Sequence, residues 1–196
     1  RLSKERIEAA KRFISAVTAE LKFLDMPNVV LDVSLEPCKM NRFGRETVEF
    51  LISTNPGEPP KPISKIASGG ELSRIMLAIK NSLADKDHIP TLIFEEVDTG
   101  VSGRAAQKIG LKLKEVAHNK QIICVTHLAQ IAALADTHFL IEKTSKTGRT
   151  FTEVHPLDLE GRKQEVARIM GTGQMTELLL KNAEELIQNG QRLTKP

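Results

Sequence analysis

The chain has 196 residues, with 28 Lys and Arg against 25 Asp and Glu, for a net charge of +3. That length suits one large domain or two small ones, and the mildly basic balance permits contact with nucleic acid without demanding it. No apolar run approaches the roughly 18 residues of a membrane-spanning helix, and no signal peptide opens the chain. Cys38 and Cys124 lie far apart with no CxxC pair, which excludes a disulfide scaffold and a cysteine-rich zinc site and fits a reducing cytoplasm.

Residues 1–25 carry apolar side chains at Ile7, Ala10, Ile14, Val17, Leu21 and Leu24, the alternating spacing of a heptad seam. Such a helix either lies on a core or ends a coiled-coil arm. The chain opens at Arg1 inside a charged helical pattern, so the expectation is the end of an arm in a longer protein. Met26-Pro27-Asn28 breaks the helix. Residues 29–36 and 46–53 alternate apolar and polar and predict an antiparallel hairpin turning near Asn41–Arg45. Residues 54–62 hold four prolines and one glycine and predict a loop without regular structure.

After this loop, strands alternate with helices: helix 69–85, strand 91–96, helix 102–118, strand 121–126, helix 128–135. The continuously apolar runs Thr91–Phe94 and Ile122–Thr126 predict strands of a parallel sheet covered on both faces. A second hairpin is expected over 137–143 and 150–155, turning around Lys146–Arg149, with helices near 161–170 and 175–189.

Three features carry chemistry. In Ala67-Ser68-Gly69-Gly70-Glu71-Leu72-Ser73-Arg74, Ser68 and Glu71 form an S-x-x-E capping box at the start of a helix. Its apolar residues Leu72, Ile75, Met76, Ile79 and Leu83 predict the buried face. Two glycines, a hydroxyl and free N–H groups at a helix start suit a phosphate; an ordinary N-cap is the plainer alternative. In Thr91-Leu92-Ile93-Phe94-Glu95-Glu96-Val97-Asp98, two carboxylates end a buried strand, where open α/β sheets bind ligands. Strand alternation would send Glu95 and Glu96 to opposite sides, one toward a Mg²⁺ ion and one toward an attacking water; a solvated acidic turn is the alternative. His127 follows the next strand and could position a γ-phosphate or be structural. His88, His118, His138 and His155 show no ligand spacing and are expected at the surface.

In this order and spacing the set resembles the C-terminal half of an ABC-type ATPase head: signature motif, Walker B, D-loop and switch histidine. ASGGELSR with EVDTGVSG and VTHLAQIAALAD resembles more narrowly the RecN family of SMC-like proteins of bacterial DNA repair and recombination, over nearly the whole chain. The resemblance implies an α/β fold with parallel core strands flanked by helices, an antiparallel hairpin and an N-terminal coiled-coil stub. Residues 1–25 would end the arm, and 26–196 would form the C-terminal lobe. It implies that Ser68, Gly69, Gly70 and Glu71 meet the γ-phosphate of an ATP held by the opposite subunit of a homodimer. Glu95 would reach Mg²⁺ through water, and Glu96 would polarise the hydrolytic water. Val97 to Ser102, with Asp98, would be the D-loop, and His127 the switch histidine. Glu95 stands where the family usually has Asp, and Ser102 where most ABC proteins end the D-loop in Asp. No G-x-x-x-x-G-K-[ST] occurs, so the P-loop would come from an N-terminal half of the same protein, and the chain alone is expected not to hydrolyse ATP. The location implied is the cytoplasm, at the nucleoid, with DNA bound mainly by the complete protein. The nucleotide-binding subunit of a membrane transporter and a non-hydrolysing interaction module remain alternatives. Transporter subunits usually carry Pro-Thr after the second acid, and here Val97-Asp98 follow it.

Overall fold

The computed structural model describes residues 1–66, 68–83, 88–146, 149–171 and 174–192. The chain divides into two compact units, Arg1–Val101 with Glu115–Val125, and Ser102–Lys114 with Thr126–Pro196.

The first unit opens with helix α1 (Leu2–Phe23). The helix stops before Pro27 acts. Asp25 takes a left-handed φ of 67°, and the N–H groups of Asp25 and Met26 bond back to the carbonyls of Lys22 and Leu21. This is a Schellman ending with buried Met26 and Leu21 as its apolar pair. Strands β1 (Val30–Asn41) and β2 (Gly44–Ser53) pair antiparallel from Val30↔Ser53 to Asn41↔Gly44, with an irregularity between Pro37 and Asn41. Both strands run longer than their alternating cores, because the tight turn at Arg42-Phe43 lets pairing continue to its edge. The register places Leu31, Val33 and Leu35 on one face with Ile52, Phe50 and Val48. That face meets α1 at Phe13, whose ring centroid lies 5.3 Å from that of Phe50. Burial tapers along α1: Val17, Leu21 and Leu24 are fully buried, whereas Ile7 is exposed.

The proline-rich loop is not wholly irregular. Its last two residues, Lys61–Pro62 (β3), pair with Ile52 and Leu51, and a 3-10 turn follows at Ile63–Lys65. Helix α2 (Gly69–Ser82) is next; the two final residues expected of it, 84 and 85, lie outside the described residues, as does Ala67. Its buried residues are Gly70, Arg74, Ile75, Leu77 and Ala78, so the expected face is rotated and Met76 is exposed. The segment from Leu72 to Ile79 is apolar nearly all round, so spacing alone did not fix which side faces inward. Strands β4 (Thr91–Phe94) and β5 (Gln121–Cys124) pair in parallel, Leu92 beside Ile122 and Phe94 beside Cys124. Both are shorter than expected, and β4 ends before the two glutamates.

In the second unit, α3 (Gly103–Val116) supplies its residues up to Lys114 and stops short of the expected 118. The expected helix 128–135 is a single turn, α4 (Ala129–Ala132). Strands β6 (His138–Lys146) and β7 (Arg149–Leu157) form the second hairpin; Thr147 and Gly148 at its turn lie outside the described residues. Helix α5 (Leu159–Met170) begins two residues earlier than expected because Asp158 caps it, its carboxylate accepting the Gly161 N–H at 2.7 Å. Helix α6 is Glu177–Arg192. Ala129, Ala132, Ala133, Val166, Ala167, Ala183 and Ile187 form the core of this unit. Buried Arg162 donates to the carbonyls of Ala135 and Asp136, which satisfies the carbonyls that follow α4. His138, expected at the surface, is half-buried with Nδ1 lacking a partner. Burial and then the Arg162 charge push its pKa below the ordinary value, against a smaller opposite pull from Glu165.

Candidate functional site

The site is built where α2 begins and β4 ends, within the first unit. Ser68 has extended backbone, φ −87° and ψ 116°, and its Oγ accepts the Glu71 N–H at 3.4 Å. The Ser half of the expected capping box is therefore in place. Ser68 and Gly69 are exposed and Gly70 is buried. The first N–H groups of an α-helix have no partner within it, and the helix dipole adds positive potential there.

Glu95 and Glu96 are not the last residues of a strand, as alternation required. They form the start of a tight turn, in which Glu96 takes a left-handed φ of 56° and its carbonyl accepts the Thr99 N–H at 3.0 Å. A non-glycine residue in that region is strained and needs support from its surroundings. The support comes from α2. Ser73 Oγ donates to the Glu95 carbonyl at 2.6 Å, and Arg74 Nη1 donates to the carbonyls of Val97 at 3.3 Å and Thr99 at 2.9 Å. Both glutamates are exposed, while Val97 and Asp98 are buried. The left-handed turn, not the pleat of a strand, directs the two carboxylates.

That turn explains both glycines. A Cβ on Gly70 would lie 2.9 Å from Thr99 Cβ, 3.0 Å from the Thr99 carbonyl oxygen and 3.1 Å from that of Glu96. Helix and turn therefore touch backbone to backbone. A Cβ on Gly69 would strike the Glu96 carboxylate, which thus lies against the exposed start of α2. Ser68, Gly69, Gly70, Glu95 and Glu96 are brought together, with Asp98 buried beneath them. Ser102 and His127 belong to the second unit, where both are exposed.

Spacing did not single out Ser73 and Arg74 as functional. Their signal was a polar pair inside the otherwise apolar stretch Leu72–Ile79, and Arg74 falls one turn after Gly70 on the buried face. Burial lowers the Arg74 pKa, against a smaller opposite effect of Glu71. Cys124, at the end of β5, has its thiol pushed up to about 12 by burial and secondarily by the Asp98 charge, so it is no nucleophile at neutral pH.

No group of three or more His, Cys, Asp or Glu among the described residues could by itself hold a metal ion. Mg²⁺ commonly takes one or two carboxylates and completes its shell with water and phosphate oxygens. An exposed pair of glutamates beside a helix start fits that mode and does not fit an all-protein cage.

No family model matches the chain. Curated relatives do: it is 41% identical over 200 residues to the DNA repair protein RecN of Bacillus subtilis, covering 94% of this chain and 35% of that protein. It is 40% identical to RecN of Vibrio cholerae, with 95% and 34% covered, and 41% identical to RecN of Treponema pallidum, with 97% and 35% covered. Among solved structures it resembles the Smc head domain with a coiled coil and joint from Pyrococcus yayanosii, with a TM-score of 0.59, 20% identity, and 85% of this chain and 30% of that one covered. It also resembles the Smc head domain with an extended coiled coil from Pyrococcus furiosus, with a TM-score of 0.55, 21% identity, and 85% and 39% covered. The fold is therefore that of SMC head domains. The chain spans about a third of the length of the curated relatives it matches. Over nearly all of its residues it is similar to one segment of those longer RecN proteins.

Proposed function

We propose that the chain is the C-terminal head segment of a RecN-like ATPase that acts in DNA double-strand break repair and recombination. The observation that carries this reading is the contact of the α2 start with the Glu95–Thr99 turn. It sets the exposed start of α2, whose first N–H groups have no partner within the helix, beside the Glu96 carboxylate, with Glu95 also exposed. In this reading the N–H groups at Ser68, Gly69 and Gly70, with the Ser68 hydroxyl, bind the γ-phosphate of an ATP gripped by the P-loop half of an opposing head. Glu71 stands in the first turn of the helix, its N–H donating to the Ser68 hydroxyl. Glu95 holds a Mg²⁺ water, and Mg²⁺, when bound, neutralises phosphate charge. Glu96 orients and polarises the attacking water, and His127, in the second unit, serves as the switch histidine. Val97 to Ser102 carry the turn onward as the D-loop between heads. The Glu96 carboxylate now lies against Gly69, so it must rotate away before an anion occupies the helix start; its flexible stem allows this.

The absent P-loop half also has a place to pack. Ile93 and Ile123 are 64% and 45% exposed on a two-stranded sheet, and Val125, just past β5, is 49% exposed. Beside it an open cleft of about 300 Å³ is lined by Leu72, Met76, Ile93 and Phe94. In the same reading α1 continues into a coiled-coil arm, two heads close on ATP and part on hydrolysis, and the protein works at the nucleoid. The RecN relatives favour this over a transporter subunit; the non-hydrolysing module differs only in turnover.

The test is Glu96→Gln in the complete protein. Hydrolysis should fall by about 10²–10⁴-fold, the usual cost of losing a general base, with ATP binding retained. Ser68→Arg should block ATP-driven head pairing while the P-loop half still binds nucleotide. Turnover by Glu96→Gln equal to that of the parent would remove Glu96 from the mechanism. A parent protein without turnover would leave the interaction module.

A further inference from the structure

The turn of the β1–β2 hairpin is built with more care than a solvent-exposed loop requires. The Asn41 side-chain oxygen accepts the Phe43 N–H at 2.7 Å, and Gly44 takes a φ of 111° where the chain turns back. Arg6 of α1 donates to the Phe43 carbonyl and reaches Glu46 at 3.5 Å, with both side chains largely buried. Glu46 is the one carboxylate between residues 37 and 46, and Arg6 already neutralises it.

Three cations remain. Lys39, Arg42 and Arg45 are exposed and have no carboxylate partner among the described residues. They fall within seven residues and match the +3 of the entire chain, so the rest of the surface is close to neutral. Between them Met40 and Phe43 are 69% and 61% exposed. The Arg42 guanidinium stands 4.6 Å from the centroid of the Phe43 ring, which it holds in place while most of the side chain stays open. Cations alone would suit any anion. Cations around a steadied, open aromatic ring suit a polymer that alternates phosphates with flat rings.

We propose that this turn is a contact site for a single nucleic-acid strand, with Lys39, Arg42 and Arg45 on phosphates and Phe43 against an unpaired base. The proposal rests on the reading above only in taking that strand to be DNA. An acidic protein surface would engage the same cations but gain little from Phe43, and the exposure of that ring decides for nucleic acid.

Fluorescence anisotropy of a labelled oligothymidine with the 196-residue chain tests this, using Lys39→Gln/Arg42→Gln/Arg45→Gln, Phe43→Ala and a charge-matched control, Lys65→Gln/Arg149→Gln/Lys181→Gln. Three phosphate contacts to a single strand contribute about 2 to the slope of log affinity against log salt, so between about 50 and 200 mM salt the parent should lose about 20-fold more affinity than the triple variant. Phe43→Ala should weaken binding about fivefold or more and leave the slope alone. The control should behave as the parent. Circular dichroism checks folding. If the triple variant did not fold, Arg45→Gln alone, which touches neither the ring nor the bonds of the turn, should change the slope by about 0.7. An unchanged slope in the triple variant or in Arg45→Gln, unchanged affinity in Phe43→Ala, or no binding by the parent at low salt would overturn the proposal. So would polyglutamate binding that the triple variant loses and Phe43→Ala leaves intact, with no such effect on DNA. ATP-driven head pairing should be untouched by all of these variants, so failure here is read separately from failure of the ATPase assignment.

Discussion

Arg74→Met tests whether α2 holds the Glu95–Thr99 turn in place. Arg74 is 8% exposed, and its Nη1 donates to the carbonyls of Val97 and Thr99 at 3.3 and 2.9 Å. A hydrogen bond from a charged donor contributes about 1.5–3 kcal/mol, and the longer of these two about 1. Methionine offsets part of that loss, because it no longer buries a guanidinium whose Nε has no partner, a cost of about 1–2 kcal/mol. The net destabilisation is about 2 kcal/mol, which for a unit of this size lowers the melting temperature by about 10 °C. The effect should also be local. The N–H groups of Thr99 and Val101 bond to the carbonyls of Glu96 and Asp98 inside the turn, and their hydrogen exchange should speed up by about 30-fold, the equivalent of 2 kcal/mol. Arg74→Lys keeps one donor and should show about half of each change. Thermal unfolding and amide exchange by mass spectrometry are the assays. Melting within about 2 °C of the parent together with unchanged exchange at Thr99 and Val101 would show that the turn holds its shape without Arg74.

Gly70→Ala should cost about 1–3 kcal/mol in urea unfolding, because its Cβ would meet backbone that cannot yield, whereas Gly69→Ala should be nearly neutral since only the flexible Glu96 carboxylate must move; equal costs at both positions would refute the close contact of helix and turn. The folded-state pKa of His138 is lowered from 6.5, so below that value the unfolded chain binds the proton more readily. Stability present above about pH 6.5 should therefore be lost as pH falls through the folded pKa, and the urea midpoint of His138→Gln should depend less on pH over that range. With its pKa near 12, Cys124 in the folded chain should react with a thiol reagent at pH about 8 on the order of 10³-fold more slowly than a free cysteine, and normally after unfolding; fast labelling of native Cys124 would contradict its buried setting.

The sequence by itself determined the elements whose signals are local. The heptad of α1, the alternating hairpin strands, the Ser68 cap of α2 and the continuously apolar β4 and β5 were all legible. Each rests on the spacing of side chains within one element, which one segment carries in full. The strings SGGELSR and EEVDTG were readable for the same reason, since they keep their order whatever surrounds them. The rotation of α2 needed its neighbours, because a stretch that is apolar nearly all round, Leu72 to Ile79, has no preferred inner face until a partner covers one. The tertiary structure alone decided that Glu95 and Glu96 belong to a turn. The strand could have continued on propensity, but Ser73 and Arg74 capture the carbonyls of Glu95, Val97 and Thr99 and make the left-handed Glu96 affordable. The tertiary structure likewise placed Arg6 on the hairpin turn, 37 residues away in sequence, and half-buried His138 within the field of Arg162. Those are long-range polar contacts, whose partners are set by the path of the backbone through space and leave no periodic trace in the chain.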